Sequence, residues 1–288
     1  MRNQLVAGIS FSNTVAQIAV LELRRRQVTV VHLEEYKRGK SGDLWFLERL
    51  LNDRKVFKKV SAVSVALDGS TVFQHSFPMD DSLTQREQKE HVLWELAHFI
   101  QDFNATGYIN DVHLLQSHQE QRFSDVYVVS AQRSFIQQIQ RALDEGKYEL
   151  YLVDTNHFAG QYALHVNYPE AIGKRIVLAS IGPQRMDVGA LQDGKLISAR
   201  YFVEASPEVL AKHLIEFCRL SGTMDIYLYG SGCTFAFMKT LQAAGNLMLT
   251  TMNPFRRLKI ASSLRKSEIM IGQEHKYVAS VGVALRKE

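Results

Sequence analysis

The sequence has only two cysteines in 288 residues, Cys218 and Cys233. That excludes a disulfide-framed fold and fits a reducing cytoplasm. No apolar run reaches the roughly 18 residues a transmembrane helix needs. The short apolar stretch in the opening MRNQLVAGISFSN reads as a strand rather than as the core of a signal peptide. Neither sign of charge dominates: 34 Lys and Arg against 30 Asp and Glu leave a formal +4. This is too weak a bias to indicate nucleic acid and reads as a mixed solvated surface. The ten histidines show neither HExxH nor a Cys/His set with zinc spacing. No G-x-S-x-G elbow is present to anchor a hydrolase triad. What remains is a 46% hydrophobic, 22% charged chain, ordinary for a globular protein with a real core. At about 100–200 residues per domain, the length suggests two domains or one divided domain.

The first forty residues predict three strands, Leu5–Ser10, Val15–Leu23 and Gln27–Tyr36, joined by the SFSNT turn and an RRR tip. Short strands with tight links imply an antiparallel meander. A helix with Leu44, Leu47, Leu50 and Leu51 on one face follows. Val60–Leu67 is a continuous apolar run, as in a strand buried on both faces. Asp68-Gly69 reads as a turn and Val72–Phe77 as a further strand. From residue 80 to about 150 the pattern changes to helix, strand, strand, helix. Thr84 and Glu87 form a capping box, and Val92, Leu93, Leu96, Phe99 and Ile100 form a helical stripe. Strands at Asp111–Gln116 and Asp125–Ala131 precede a helix over Ser134–Leu143. Tyr151–Val153 is a strand leading into a helix from Asp154 to Leu164.

A second meander then appears: Arg175–Ile181, Met186–Leu191 and Leu196–Phe202, with Asp193-Gly194 as hairpin turn. Ser206-Pro207-Glu208 opens a helix whose buried face is Leu210, Leu214, Phe217 and Cys218. Asp225–Tyr229 runs as a strand into Gly230-Ser231-Gly232. The three-strand unit thus occurs twice, an internal duplication.

Other signals read as structure. Gly189 to Lys195 mimics the opening of a P-loop, but Leu196 follows where Ser or Thr is required, so the hairpin reading stands. His91 and His98 read as surface or boundary residues, and Cys233 as a small buried thiol without an adjacent base. Trp94 and Phe99, at helical spacing, read as core. Arg24–Arg26 reads as a solvated tip, and Arg256, Arg257 and Lys259 read the same way.

Several of these stretches together resemble the PilM family of type IV pilus assembly, actin-like cytoplasmic proteins. LVAGISFSNTVAQIAVLEL is similar to the family's first phosphate loop with its flanking strands. HSFPMDDSLTQREQKEHVLWELAHFI is similar to the entrance of its inserted subdomain, called 1C and shared with the division protein FtsA. YLVDTNHFAGQYAL resembles the helix returning to the first half. Asn253-Pro254-Phe255 and the closing Gly282-Val283-Ala284-Leu285-Arg286 are the more specific matches. The resemblance implies an α/β fold of duplicated actin-like (ribonuclease H-like) domains with the 1C insertion. Residues 1–79 and 151–172 would make the first half, 80–150 the insertion and 173–288 the second half.

Departures from the family's pattern bear on mechanism. An actin-like ATPase needs carboxylates beside its phosphate loops to hold hydrated Mg²⁺ and orient water. Where the family has Asp and Gly in the first loop, this chain has Ser10 and Ser12. Its second loop has Ser180 where Asp is expected, followed by Ile181, Gly182 and Pro183, the last without an N–H to offer phosphate. The adenosine-side motif keeps Gly230 and Gly232 around Ser231. Few residues separate Phe202 from Asp225, so the family's subdomain 2B is expected to be missing or reduced. The expectation is a degenerate nucleotide site comprising Gly8, Ser10, Ser12, Asn13, Thr14, Ser180, Gly182, Gly230, Ser231 and Gly232, with no resident cofactor or metal.

The resemblance implies a non-catalytic scaffold on the cytoplasmic face of the inner membrane, touching the membrane only indirectly. It would hold a short cytoplasmic PilN-like segment in a groove lined by Val60–Leu67, Val72–Phe77 and the insertion, with self-association open and no role for nucleic acid. Two alternatives stand. One is an actin-like ATPase or kinase binding ATP and Mg²⁺ through Asp68 or Asp154, although Asp154 also suits a helix cap. The other is a cytoplasmic component resembling the type II secretion protein GspL. GspL continues into a transmembrane helix, whereas this chain ends at Arg286-Lys287-Glu288 without one.

Overall fold

The structure is a computed structural model that describes residues 4–12, 15–25, 27–37, 47, 57–118, 120–265, 267 and 270–286. Strands β1 (Gln4–Phe11), β2 (Val15–Arg24) and β3 (Gln27–Lys37) form the first meander, with β1 antiparallel to β2 and β2 antiparallel to β3. Strand β4 (Val60–Leu67) pairs parallel to β1, and β8 (Glu149–Thr155) parallel to β4. All but one residue of β4 is buried, which is why it reads as an unbroken apolar run. The second sheet repeats this plan. Strands β9 (Arg175–Ile181), β10 (Arg185–Gln192) and β11 (Lys195–Val203) form the meander, and β12 (Asp225–Tyr229) and β13 (Met248–Thr251) add in parallel. The orders β3-β2-β1-β4-β8 and β11-β10-β9-β12-β13 are the same, so the duplication read in sequence is a duplication of topology. The short β14 (Lys259–Ile260) extends the first sheet beyond β3. Asp193 and Gly194 both have positive φ, 53° and 73°, as a two-residue hairpin of this hand requires.

A third sheet, ordered β5-β7-β6, is made of β5 (Phe73–Asp80), β6 (Tyr108–His118) and β7 (Phe123–Gln132). Helix α1 (Gln85–Phe99), opened by the Thr84–Glu87 capping box, lays Val92 and Leu96 over Phe77, Met79, Val126 and Val128. The sheet's other face sends Leu115, Tyr127 and Val129 into the central core. Two details differ from the sequence reading. Strand β5, counted with the first half, hydrogen-bonds to β7 and belongs to this third sheet. Helix α2 (Arg133–Glu145), counted with the insertion, buries Ile139, Ala142 and Leu143 among β1 and β4 residues such as Ile9 and Val63. Trp94 and Phe99 are not core: they are 57% and 53% exposed, Trp94 beside His91 and His98 on the helix surface and Phe99 against Phe73 and His75 at the rim of β5. Leu47 is fully buried, while Leu44, Leu50 and Leu51 lie outside the described residues.

Helices α4 (Pro207–Leu220), capped by Ser206, and α5 (Phe235–Ala243) cover the second sheet with Leu210, Leu214, Phe217, Phe237 and Leu241. Between β11 and β12 the only helix is α4. At the centre, α3 (Asn156–Asn167) packs on α6 (Val278–Leu285), every residue of which is buried. Side chains of α6 enter two cores, Val278, Ala279 and Val283 on one side and Val281, Ala284 and Leu285 on the other. The backbones here touch. A Cβ on Gly282 would lie 1.8 Å from the Ala159 carbonyl oxygen, and one on Gly8 would lie 1.9 Å from that of Ser280. Asp154 does not cap α3. Thr155 does, accepting from the Phe158 N–H, while Asp154 pairs with Arg286 just past the end of α6.

Because the added methyl meets backbone rather than a movable side chain, Gly282→Ala is expected to cost about 3 kcal/mol or more. Gly107→Ala, whose Cβ would find its nearest atom at 3.8 Å, serves as control and should shift the urea midpoint little. Equal midpoints for the two variants would refute the close-packing account.

Candidate functional site

The residues predicted to form the nucleotide site converge where the two sheets face each other. The first loop closes with the Ser12 N–H donating to the Val15 carbonyl at 2.9 Å, and the second with the Gly182 N–H donating to the Arg185 carbonyl at 2.7 Å. Each loop thus spends one of its own donors on a carbonyl three residues on. Ser10, Ser12, Ser180, Gly182, Gly230 and Ser231 all line the cleft. Gly8 and Gly232 lie behind it: Gly8 faces α6, and the Gly232 N–H donates to the Ile181 carbonyl at 2.8 Å. Asn13 and Thr14 lie outside the described residues. Ser10 is buried and donates to Asn156 Oδ1 at 3.1 Å. The Tyr229 hydroxyl donates to the Asn156 carbonyl at 2.7 Å, and burial raises its pKa.

Residues that the sequence reading did not single out dominate the electrostatics. Arg185, at the start of β10, holds Asp187 through its Nε at 3.0 Å and its Nη2 at 2.8 Å. The same Nη2 donates to Gln74 Oε1 on β5 at 2.9 Å, and the guanidinium lies 4.1 Å above the Tyr201 ring. The two side chains are only 15% and 12% exposed. Burial pushes the Asp187 carboxyl up and Arg185 pulls it down. Burial works against the charge on Arg185, and Asp187 more than offsets that. The pair packs against Gly69, next to Asp68, whose carboxylate accepts from the Ser70 N–H. A signal existed in the sequence: alternate positions of β10 place an Arg and an Asp on one face of a strand just after the second loop.

The space remaining in the cleft is about 40 Å³, against roughly 300–1,000 Å³ for small-molecule sites. The residues as placed do not fit a nucleotide with its metal. No group of three metal-ligating side chains occurs among the described residues. Cys233 stands beside the cleft with its thiol pushed up to about 12 by burial, far from a nucleophile's range. Arg256, read as solvated, pairs with Glu170 and lies 4.8 Å from the Tyr168 ring centre.

Two further openings lie along the seam between the first and third sheets. One opening of about 140 Å³ is lined by Leu67, Val72, Ile109, His113, Val129 and Phe158. Another of about 580 Å³ is lined by Val72, Phe73, Phe99, Gln132 and Phe135. Val72 borders both. Nearby, His157 on α3 is buried, neither ring nitrogen has a hydrogen-bond partner among the described residues, and burial lowers its pKa from 6.5 to about 4.

This architecture is the fold of the actin-like ATPases. The chain is similar to a component of the PilM–PilN type IV pilus biogenesis complex, with 16% identity, 98% of each chain covered and a TM-score of 0.79. It is also similar to a protein of Bacteroides thetaiotaomicron with an actin-like ATPase fold and unknown function (14% identity, 88% of this chain and 92% of that one, TM-score 0.58). A third likeness is to the cytoplasmic domain of EpsL, an inner membrane component of the type II secretion system of Vibrio cholerae (14% identity, 78% and 82%, TM-score 0.52). No family model and no curated protein matches the sequence. No helix among the described residues is long and apolar enough to cross a membrane.

Two predictions follow from the site's electrostatics. Arg185→Met strands Asp187 as a buried charge and should cost about 3–5 kcal/mol in denaturant unfolding, whereas Arg185→Met combined with Asp187→Leu should recover most of that loss. For His157 the folded pKa lies below the unfolded one. Its term is therefore neutral above about pH 6.5 and destabilises progressively down to about pH 4, because only the unfolded chain takes up the proton. At about 1.4 kcal/mol per pH unit the term approaches 3 kcal/mol. His157→Leu should remove that slope, and unfolding curves at pH 7 and pH 4.5 that fall in parallel for both proteins would count against it.

Proposed function

We propose that this chain is a non-hydrolysing scaffold of the PilM type. It works at the cytoplasmic face of the inner membrane and docks a short cytoplasmic segment of a PilN-like inner-membrane partner. In this reading residues 1–79 and 151–172 form the first actin-like half, and 80–150 the 1C-like insertion, to which β5 contributes a strand. Residues 173–288 form a second half reduced by loss of 2B, from which β14 and α6 return to pack on the first half. The loops around Ser10, Ser12, Ser180, Gly182, Gly230, Ser231 and Gly232 are a nucleotide site that has become a structural joint.

The observation that carries the reading is where the space lies. The interloop cleft, with Arg185 and Asp187 among its lining residues, keeps about 40 Å³, whereas the seam opens to about 580 Å³. An extended peptide can lay its backbone along such a seam and seat alternate side chains in it. The likeness to a component of the PilM–PilN complex covers the whole chain. The likeness to the EpsL cytoplasmic domain supports a second reading, a type II secretion component with the same docking role, on a smaller share of the chain.

Isothermal titration with ATP and Mg²⁺ to millimolar concentration should give no heat of binding. Micromolar affinity would make the chain a nucleotide-binding ATPase instead. A synthetic N-terminal segment of a PilN-like protein should bind, and Val72→Arg should weaken it by about tenfold or more. Full retention of binding in that variant would move the partner off the seam.

A further inference from the structure

The third sheet is wider than the helix that covers it. Cross-strand partners in an antiparallel pair share a face. The pairs Val112–Val128 and Leu114–Val126 therefore place Val112 and Leu114 on the same side as the two valines that α1 buries. One strand makes the difference: Val126 and Val128 are 5% and 0% exposed, Val112 and Leu114 43% and 64%. Strand β6 is the sheet's outer strand, with no strand hydrogen-bonded beyond it among the described residues.

A groove of about 510 Å³ runs between α1 and β6. Its wall is a stripe of α1 at helical spacing, including Gln88, Lys89, Val92 and Leu93, and its floor includes Tyr108 and Val112. The charged side chains lining it are Lys89 and Arg133, with no carboxylate among the described residues that form it. Arg133 donates to the Thr106 and Tyr108 carbonyls, which fixes that end of the groove. The smaller seam opening, lined by His113 and Val129, borders the opposite face of this sheet, and the larger one lies on the same face as the groove and meets it at Tyr108.

A sheet face must be covered by a second layer to bury its apolar side chains. A groove walled by consecutive turns of one helix fits a second helix laid beside it. We propose that this groove docks an amphipathic helix of a partner protein. The helix's apolar face meets Val92, Leu93 and Val112, and its flanking carboxylates meet Lys89 and Arg133. A second copy of this chain is the poorer occupant, because a twofold contact would bring the same two cations to both sides of the interface without opposing carboxylates.

The probe is a pair of 18-residue helical peptides with Leu at i, i+3, i+4 and i+7, flanked by Glu in one and by Lys in the other. A third carries the Glu flanks with two central prolines. Fluorescence anisotropy at low salt should show the Glu peptide binding about tenfold or more tighter than the Lys peptide and the proline peptide. Lys89→Glu should weaken the Glu peptide and strengthen the Lys peptide. Val112→Asp should abolish binding with its thermal midpoint checked, and Val72→Arg should leave it unchanged. The proposal fails if the Glu peptide does not bind below about a millimolar, if the Glu and Lys peptides bind alike, or if the proline peptide binds as well. A dimer in sedimentation that Val112→Asp dissociates would assign the groove to a second copy instead.

Discussion

The structure depends on one close approach. Helix α6 is buried at every position, and it sits against β1 and α3 at distances that only glycine at positions 8 and 282 allows. A helix with no polar face stabilises a fold only when it is surrounded, and here two of the cores close on it. The approach also sets the candidate site, because Lys276 and Ala279, just before and within this helix, form the base of the interloop cleft. The Gly230 N–H donates to the His275 carbonyl at 3.0 Å, tying the second sheet to the same segment. Displacing α6 would therefore disturb the core and the cleft together.

Around that helix the duplicated sheets meet through polar contacts. In an actin-like architecture the facing loops are where a ligand can bridge two lobes. In this chain Arg185 reaches from the second sheet to Gln74 at the start of β5, and Asp187 neutralises it in place. Ser10 and Tyr229 reach Asn156 from opposite sides. A buried ion pair adds little net stability against an apolar replacement, but removing one partner is costly. Such a pair favours one arrangement of the lobes over a range of them. The cleft proposed above as a structural joint is held by this pair, and the wider openings lie elsewhere on the molecule.

The third sheet is attached through its inner face and its shared helix. Tyr127 and Val129 enter the core between the lobes, and α2, which follows directly from β7, packs on the first sheet. The insertion is thus held from two sides while its outer face carries exposed Val112, Leu114, Trp94 and Phe99. Apolar side chains exposed on a well-anchored sheet and helix suit recognition, since little ordering cost is left for binding.

Much of this was legible in the sequence where the determining interactions are local. The repeated meander, the Asp193-Gly194 turn, the Thr84–Glu87 box and the Ser206 cap each depend on residues within a turn or two of one another, so spacing alone determines them. Ser10, Ser12, Ser180, Gly182 and Gly230, grouped in the sequence through the family resemblance rather than by local spacing, line one cleft. Other features were decided only by tertiary structure. Arg185 meets Gln74 across 111 residues and Arg286 meets Asp154 across 132, separations at which no local pattern specifies a partner. Trp94 and Phe99 share the spacing of core residues, yet only Val92 and Leu96 of α1 are buried against the sheet, and these two aromatics stay more than half exposed. Periodicity defines which side chains share a face. Only the packed structure determines which faces are covered, and so whether a cleft stays open for a ligand or closes on the chain's own side chains.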